Sequence, residues 1–131
     1  MGFWYIDVLF QCFVVLALLL AEPGAQRVAE LLPEAAISAV NLSEVVAKLA
    51  EHGMPEGAIR SAIEGLMLSV RDFDAAAAVA AGLLRPHTRA LGLSLGDRAC
   101  LALGHDLGRT AVTTDRRWSD TNVGVDVEVI R

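Results

Sequence analysis

A single α/β domain built on a mostly parallel sheet is the fold class that the sequence predicts, and three observations predict it. The chain of 131 residues has the length of one domain and, at 54 % hydrophobic residues, the apolar content to fill a core. Short β-prone apolar runs alternate along it with segments of helical periodicity and end in a closing strand, the order expected of parallel strands joined by helical crossovers. Twice an acid stands a few residues beyond such a strand: Glu44 after residues 35–40, and Asp115 after residues 110–113. No internal repeat and no long linker divides the chain, so residues 1–131 are read as one domain.

The elements follow in order. Phe3-Trp4-Tyr5-Ile6 is aromatic and β-prone, and the Leu-rich run ending near Leu20 is helical in character. Residues 8–21 together read as a buried strand entering a buried helix. The same run has the look of a signal-peptide core, but no basic residue precedes it and Asp7 and Gln11 interrupt it. Its unbroken apolar length is also short of the ~20 residues a membrane span needs, so a membrane or export role is the minority alternative. Pro23-Gly24 breaks the chain. Residues 25–32 then place Val28, Leu31 and Leu32 on one helical face, and residues 35–40 form a short apolar strand.

Leu42, Val45, Val46 and Leu49 keep the i, i+3, i+4, i+7 spacing of an amphipathic helix that Gly53 ends. Pro55 opens a helix with Ile59, Ile63 and Leu66 inward, and residues 68–73 are a strand with Val70 buried. Asp74 caps an Ala-rich helix running to Leu84, after which Pro86 makes a break. Ser94 caps the helix that carries Asp97, Cys100, Leu101 and Leu103 and ends near Gly108. Residues 110–113 and 125–130 are the last strands, on either side of the Arg116-Arg117-Trp118 loop.

Composition narrows the function. A net charge of −5 argues against a protein that coats nucleic acid by bulk electrostatics, while leaving room for a local basic rim. Lys48 is the single lysine among 11 basic residues, and arginine suits bidentate phosphate contacts. Cys12 and Cys100 lie in apolar surroundings without a partner at metal-site spacing, which reads as buried reduced thiols and a cytoplasmic protein. His52, His87 and His105 pair with no Cys or carboxylate at ligand spacing. There is no GxGxxG, no P-loop and no Gly-x-Ser-x-Gly elbow, so nucleotide and acyl-transfer chemistry lack support.

Each acid has a local role to weigh first. Asn41-Leu42-Ser43-Glu44 reads as a helix start with Asn41 as N-cap and Glu44 closing a capping box, and Glu44 also pairs with Lys48 at i, i+4. Asp97 repeats that spacing after Ser94, where a helix dipole favours an acid, and Asp115 suits the cap of a short turn. Taken singly, capping is the better reading of all three. Together they point elsewhere, because right-handed crossovers bring strand exits to one edge of a parallel sheet, where such sheets bind ligands. Three acids there repel one another unless a hard divalent cation joins them.

The residues Glu-Pro-Gly (22–24), Ile-Ser-Ala-Val-Asn-Leu-Ser-Glu (37–44), Leu-Ser-Leu-Gly-Asp-Arg-Ala-Cys-Leu-Ala-Leu (93–103), Thr-Thr-Asp-Arg-Arg-Trp (113–118) and the closing Val-Asp-Val-Glu-Val-Ile-Arg carry a resemblance. Through them, from about residue 16 to residue 131, the chain resembles the PIN-domain ribonucleases, and in particular the VapC-like toxins of bacterial type II toxin-antitoxin systems. The resemblance implies a PIN-like three-layer sandwich, a mostly parallel central sheet flanked by helices, with clustered acids holding Mg²⁺ or Mn²⁺. On that pattern Glu44, Asp97 and Asp115 are metal ligands and catalytic acids, and Thr113 is the hydroxyl residue two positions before the last. It further implies metal-assisted hydrolysis of RNA, and a homodimer whose groove takes a segment of a cognate antitoxin.

The family's first acid is the exception. Members usually end strand one in Asp-x-Ser or Asp-x-Thr, and gap-free counting back from Glu22 puts Gln11-Cys12-Phe13 there. Asp7, four residues earlier and just after an aromatic run, is expected to serve instead as catalytic and metal-binding acid, through an extra turn in the first helix. The rival is that the site has lost its first acid. Arg98, Arg116 and Arg117, beside the acids, are candidates to hold flanking phosphates, against the bland reading of solvated surface arginines. The competing function is a PIN-like protein-binding module, impaired in catalysis, that still pairs with an antitoxin or with itself.

Overall fold

The computed structural model describes residues 6–130 of the chain. The strands are β1 (Val8–Phe10), β2 (Ala35–Ser38), β3 (Ser69–Arg71), β4 (Thr110–Thr113) and β5 (Val127–Val129). The α-helices among the described residues are α1 (Cys12–Leu19), α2 (Ala25–Leu31), α3 (Ala39–Glu51), α4 (Glu56–Leu66), α5 (Ala75–Leu83), α6 (Arg85–Thr88) and α7 (Leu95–Leu107). The sheet order is β3-β2-β1-β4-β5, and every neighbouring pair is parallel. This is the α/β sandwich of the sequence reading, with a sheet parallel throughout rather than mostly so.

Burial on both faces explains why the inner strands are apolar without a break, as in covered parallel sheets. Side chains still alternate along β1: Val8 and Phe10 join a core with α1, Val28, Val45, Leu49 and Ile59, whereas Leu9 faces Leu93, Cys100, Leu101, Ala111 and Trp118. Helix α1 is apolar on nearly all sides because it lies in the first of these cores. Among the described residues no helix is long and apolar enough to cross a membrane.

Several expectations shift. The strand expected over residues 3–6 falls outside the described residues except for Ile6, which is not in a strand; the first strand is Val8–Phe10. Val70 is exposed, because β3 is the edge strand and carries little packing on that side. Residues 39 and 40, read as strand, begin α3. Its N-cap is Ser38, whose Oγ accepts from Val40 N, so Asn41 and Glu44 do not form a capping box. Pro86 does not break the chain into coil; it sits in the first turn of α6, where its missing N–H costs nothing. Asp74 and Ser94 cap α5 and α7 as read.

Candidate active site at the carboxyl edge of the sheet

Strands β1, β2 and β4 all run toward one edge, and each delivers a polar side chain there. Gln11 directly follows β1, α3 directly follows β2 and carries Glu44, and Thr113 ends β4 two residues before Asp115. Helix α7 runs back toward the start of β4, so its first turn, with Asp97, lies at the same edge. The capping box of α7 is complete: Asp97 N donates to Ser94 Oγ at 3.2 Å and Asp97 Oδ2 accepts from Ser94 N at 2.9 Å.

Gln11 connects these elements. Its Nε2 donates to Asp97 Oδ1 at 3.2 Å, and its Oε1 accepts from Thr113 Oγ1 at 3.3 Å. The orientation of the amide is forced, because a carboxylate only accepts and must meet the NH₂ end. Thr113 Oγ1 in turn accepts from Asp115 N at 3.0 Å. A directed chain of hydrogen bonds thus runs from Asp115 N–H through Thr113 and Gln11 to Asp97. Gln11, Thr113 and Asp97 are all buried.

Asn41 braces the other side. It is fully buried; its Oδ1 accepts from Cys12 N at 3.3 Å and its Nδ2 donates to the Gly96 carbonyl at 3.1 Å, joining the starts of α1, α3 and α7. Gly96 leaves the Glu44 carboxylate its place, because a Cβ would overlap that group and push it aside. Burial pushes the Glu44 carboxyl above its usual range; the Cys12 thiol, which donates to it, opposes that shift, and the nearby Asp97 charge adds to it. The Cys12 thiol is itself pushed up to about 12, by burial first and then by the Glu44 charge.

Asp115 is held differently. Its Oδ1 accepts from Arg117 N at 2.9 Å, capping the short turn over Arg116–Asp120, and the guanidinium of Arg117 grips both carboxylate oxygens. Arg117 Nη1 donates to the Leu91 carbonyl at 2.7 Å, which fixes the far end of the guanidinium. The Arg117 hydrogen bonds hold the Asp115 carboxyl below its ordinary value.

The structure therefore brings Glu44, Asp97, Asp115 and Thr113 to one edge, and does not bring Asp7. Asp7 precedes β1: its backbone N–H donates to the Glu34 carbonyl, and it lines a cleft with Arg109, Thr110 and Asp126 at the opposite edge. With the three residues of β1 between them, Asp7 and Gln11 are four residue steps apart, about 13 Å of extended chain. The extra turn that would have re-aimed it does not exist, since α1 starts at Cys12, immediately after Gln11. Of the arginines, Arg98 turns to α5, where Nη1 donates to the Ala81 carbonyl, Arg117 is committed to Asp115, and Arg116 is exposed. The sequence reading missed the bridging role of Gln11 and the brace of Asn41. Counting back from Glu22 marks position 11, and the sequence signals Asn41 only as a cap.

Carboxylate oxygens are the right donor chemistry for Mg²⁺ or Mn²⁺, yet their placement does not suit one. Among the described residues no three of His, Cys, Asp or Glu converge to hold a metal ion. Both Asp97 oxygens are taken by Ser94 and Gln11, and both Asp115 oxygens by Arg117.

Comparison with known proteins decides the family. The PIN domain model matches residues 13–124, most of the chain. The chain belongs to the PIN-domain family. As a PIN-domain protein it shares its fold with solved toxin-antitoxin complexes. VapBC2 of Rickettsia felis, bound to a DNA fragment from its promoter, matches with a TM-score of 0.74 at 18 % identity, over 96 % of this chain and 100 % of that one. DNA-bound VapBC of Salmonella typhimurium matches with a TM-score of 0.72 at 19 % identity, over 95 % and 98 %. A toxin-antitoxin complex from Klebsiella pneumoniae matches with a TM-score of 0.71 at 19 % identity, over 91 % and 95 %. No curated protein matches the sequence.

Proposed function

We propose that this PIN-domain protein, acting as one domain over residues 1–131, is the toxin-side member of a toxin-antitoxin pair and hydrolyses RNA phosphodiester bonds. The observation that supports the reading is that Glu44, Asp97, Asp115 and Thr113 share the carboxyl edge of a parallel sheet, in a chain whose family is PIN. Exposed Arg116, beside Asp115, is suited to a flanking phosphate. The Mg²⁺ or Mn²⁺ that belongs to such a nuclease fits this edge only once Gln11 and Arg117 give way.

The partner follows from the same comparisons, since the matched structures are toxin-antitoxin complexes. An apolar groove between α3 and α4, lined by Leu42, Val46, Met54, Ile59 and Ile63 and rimmed by Glu56 and Arg60, suits an amphipathic antitoxin segment. Exposed Met67, Val79 and Leu83 support a homodimer, and two buried reduced thiols support the cytoplasm.

The test is cleavage of a structured RNA by the purified protein in Mg²⁺ or Mn²⁺, with Asp97→Asn as control. Cleavage by the native chain and loss in the variant is the expected result; absence of cleavage at any divalent concentration refutes the nuclease. A second reading, the impaired binding module, is favoured by one observation: Gln11, an amide, stands at the exit of β1 beside Asp97. An inert protein that still forms a stable complex with an antitoxin selects it.

A further inference from the structure

We infer that Gln11 and Arg117 are built-in counter-groups that hold the acidic edge together from within, so that a divalent cation must displace them and binds weakly. This rests on the reading of the edge as a phosphodiester-hydrolase site.

Asp97 is a buried carboxylate, and buried carboxylates need hydrogen bonds or opposite charge. Gln11 supplies the first. It is 2 % exposed, so water does not compete with it, and its NH₂ group has no lone pair to offer a cation. Turning the amide over would present Oε1 to a cation but would take the donor from Asp97 and oblige the Thr113 hydroxyl to rotate as well. Arg117 supplies the second, to the partly buried Asp115. Its guanidinium lies on Asp115 and is pinned from behind by the Leu91 carbonyl, with Gly92 leaving room for it: a Cβ there would lie 3.3 Å from Nη1. Three oxygens of the two aspartates thus carry internal donors from Gln11 and Arg117, and a cation gains only what exceeds those bonds.

Gln11→Glu is the decisive variant because it is isosteric. Its carboxylate still accepts from Thr113 but faces Asp97 with a like charge at hydrogen-bond distance, which a cation resolves. Calorimetric titration with Mn²⁺ alone, on the full chain, is expected to give millimolar or weaker binding for the native protein and binding about ten- to a hundredfold tighter for Gln11→Glu. In thermal unfolding the native protein is expected to melt alike in chelator and in Mn²⁺, whereas Gln11→Glu melts lower in chelator and recovers in Mn²⁺. Micromolar Mn²⁺ binding by the native protein, or no gain in Gln11→Glu, overturns the inference. If Gln11→Glu does not fold, Arg117→Ala decides alone: it frees Asp115, and unchanged Mn²⁺ affinity overturns the inference. RNA cleavage separates this from the underlying reading. A Gln11→Glu protein that binds Mn²⁺ and leaves RNA intact keeps the inference and refutes the nuclease, while native cleavage saturating at micromolar Mn²⁺ does the reverse.

Discussion

The Gln11 amide nitrogen stands 3.2 Å from Asp97 Oδ1, and this one contact ties the exit of the central strand to the first turn of α7. Its carbonyl end reaches Thr113 at the end of β4. A residue read from sequence as a departure from a motif is therefore the node through which the edge is held.

Gln11→Ala should be costly. It leaves a buried carboxylate oxygen without its donor and the proton of a buried hydroxyl without its acceptor, and about 2–4 kcal/mol of stability should be lost. Urea unfolding with an unchanged m-value and a lower midpoint is the expected record.

Asp97→Asn should be mild for the fold. Asparagine keeps an acceptor for the Ser94 N–H, and the Gln11 amide can turn over to present its oxygen to the new NH₂ group, the Thr113 hydroxyl rotating to follow. Stability should fall by under about 1 kcal/mol. Asp97→Ala, with neither acceptor, should lose about 1–2 kcal/mol through the cap alone. Parallel denaturation curves of the two variants check this.

Gly96→Ala should displace the Glu44 carboxylate at little cost. Alanine favours α7 intrinsically, and its methyl would overlap only the far end of the flexible Glu44 side chain, so the net loss should stay under about 1 kcal/mol. Shortening the partner in Gly96→Ala/Glu44→Ala should recover much of the loss. A double-mutant cycle showing no coupling would remove Glu44 from that contact.

The thiols should resist reagents in the folded state. Burial raises both Cys12 and Cys100, with the Asp97 charge contributing to each, so the thiolate is disfavoured in the native protein. Native protein at pH 8 should alkylate far more slowly than protein in denaturant, as mass spectrometry would read. The sign for stability follows. Unfolded thiols ionise near pH 8.5 while the folded ones stay neutral, so this contribution is complete below about pH 8.5 and is lost as pH rises toward the folded values. Replacing Cys100 by Ala should flatten that alkaline decline.

What could be read beforehand divides along physical lines. The capping box of α7 and the Asp74 cap were legible because both are local patterns that tertiary contacts leave alone. The strand-acid-helix order was legible because connectivity dictates it. The start of β1 was not: aromatic residues 3–5 and apolar residues 8–10 make one β-prone stretch with no period to place the strand, and an offset of four residues decides whether Asp7 or Gln11 stands at its exit. Ser38 and Asn41 are both capping types three positions apart, and only the burial of Asn41 between α1 and α7 separates them. The grip of Arg117 on Asp115 spans two residues, yet it depends on the Leu91 carbonyl, 26 positions away, to aim the guanidinium.

The hydrogen bond between Thr113 and Gln11 bridges 102 positions, and β1 has no neighbour on that side until β4 exists. During synthesis at about 5–20 residues per second, the central strand therefore waits on the order of 5–20 s after its own appearance with one flank open. In that interval Gln11 has no Thr113 to meet, and Asp97 arrives only toward its end. Until β4 is made, the acidic edge of a nascent chain is thus chemically unassembled. On the proposal that it can harm the cell making it, that delay is a form of safety written into strand order, closed only when β4 takes its place beside β1.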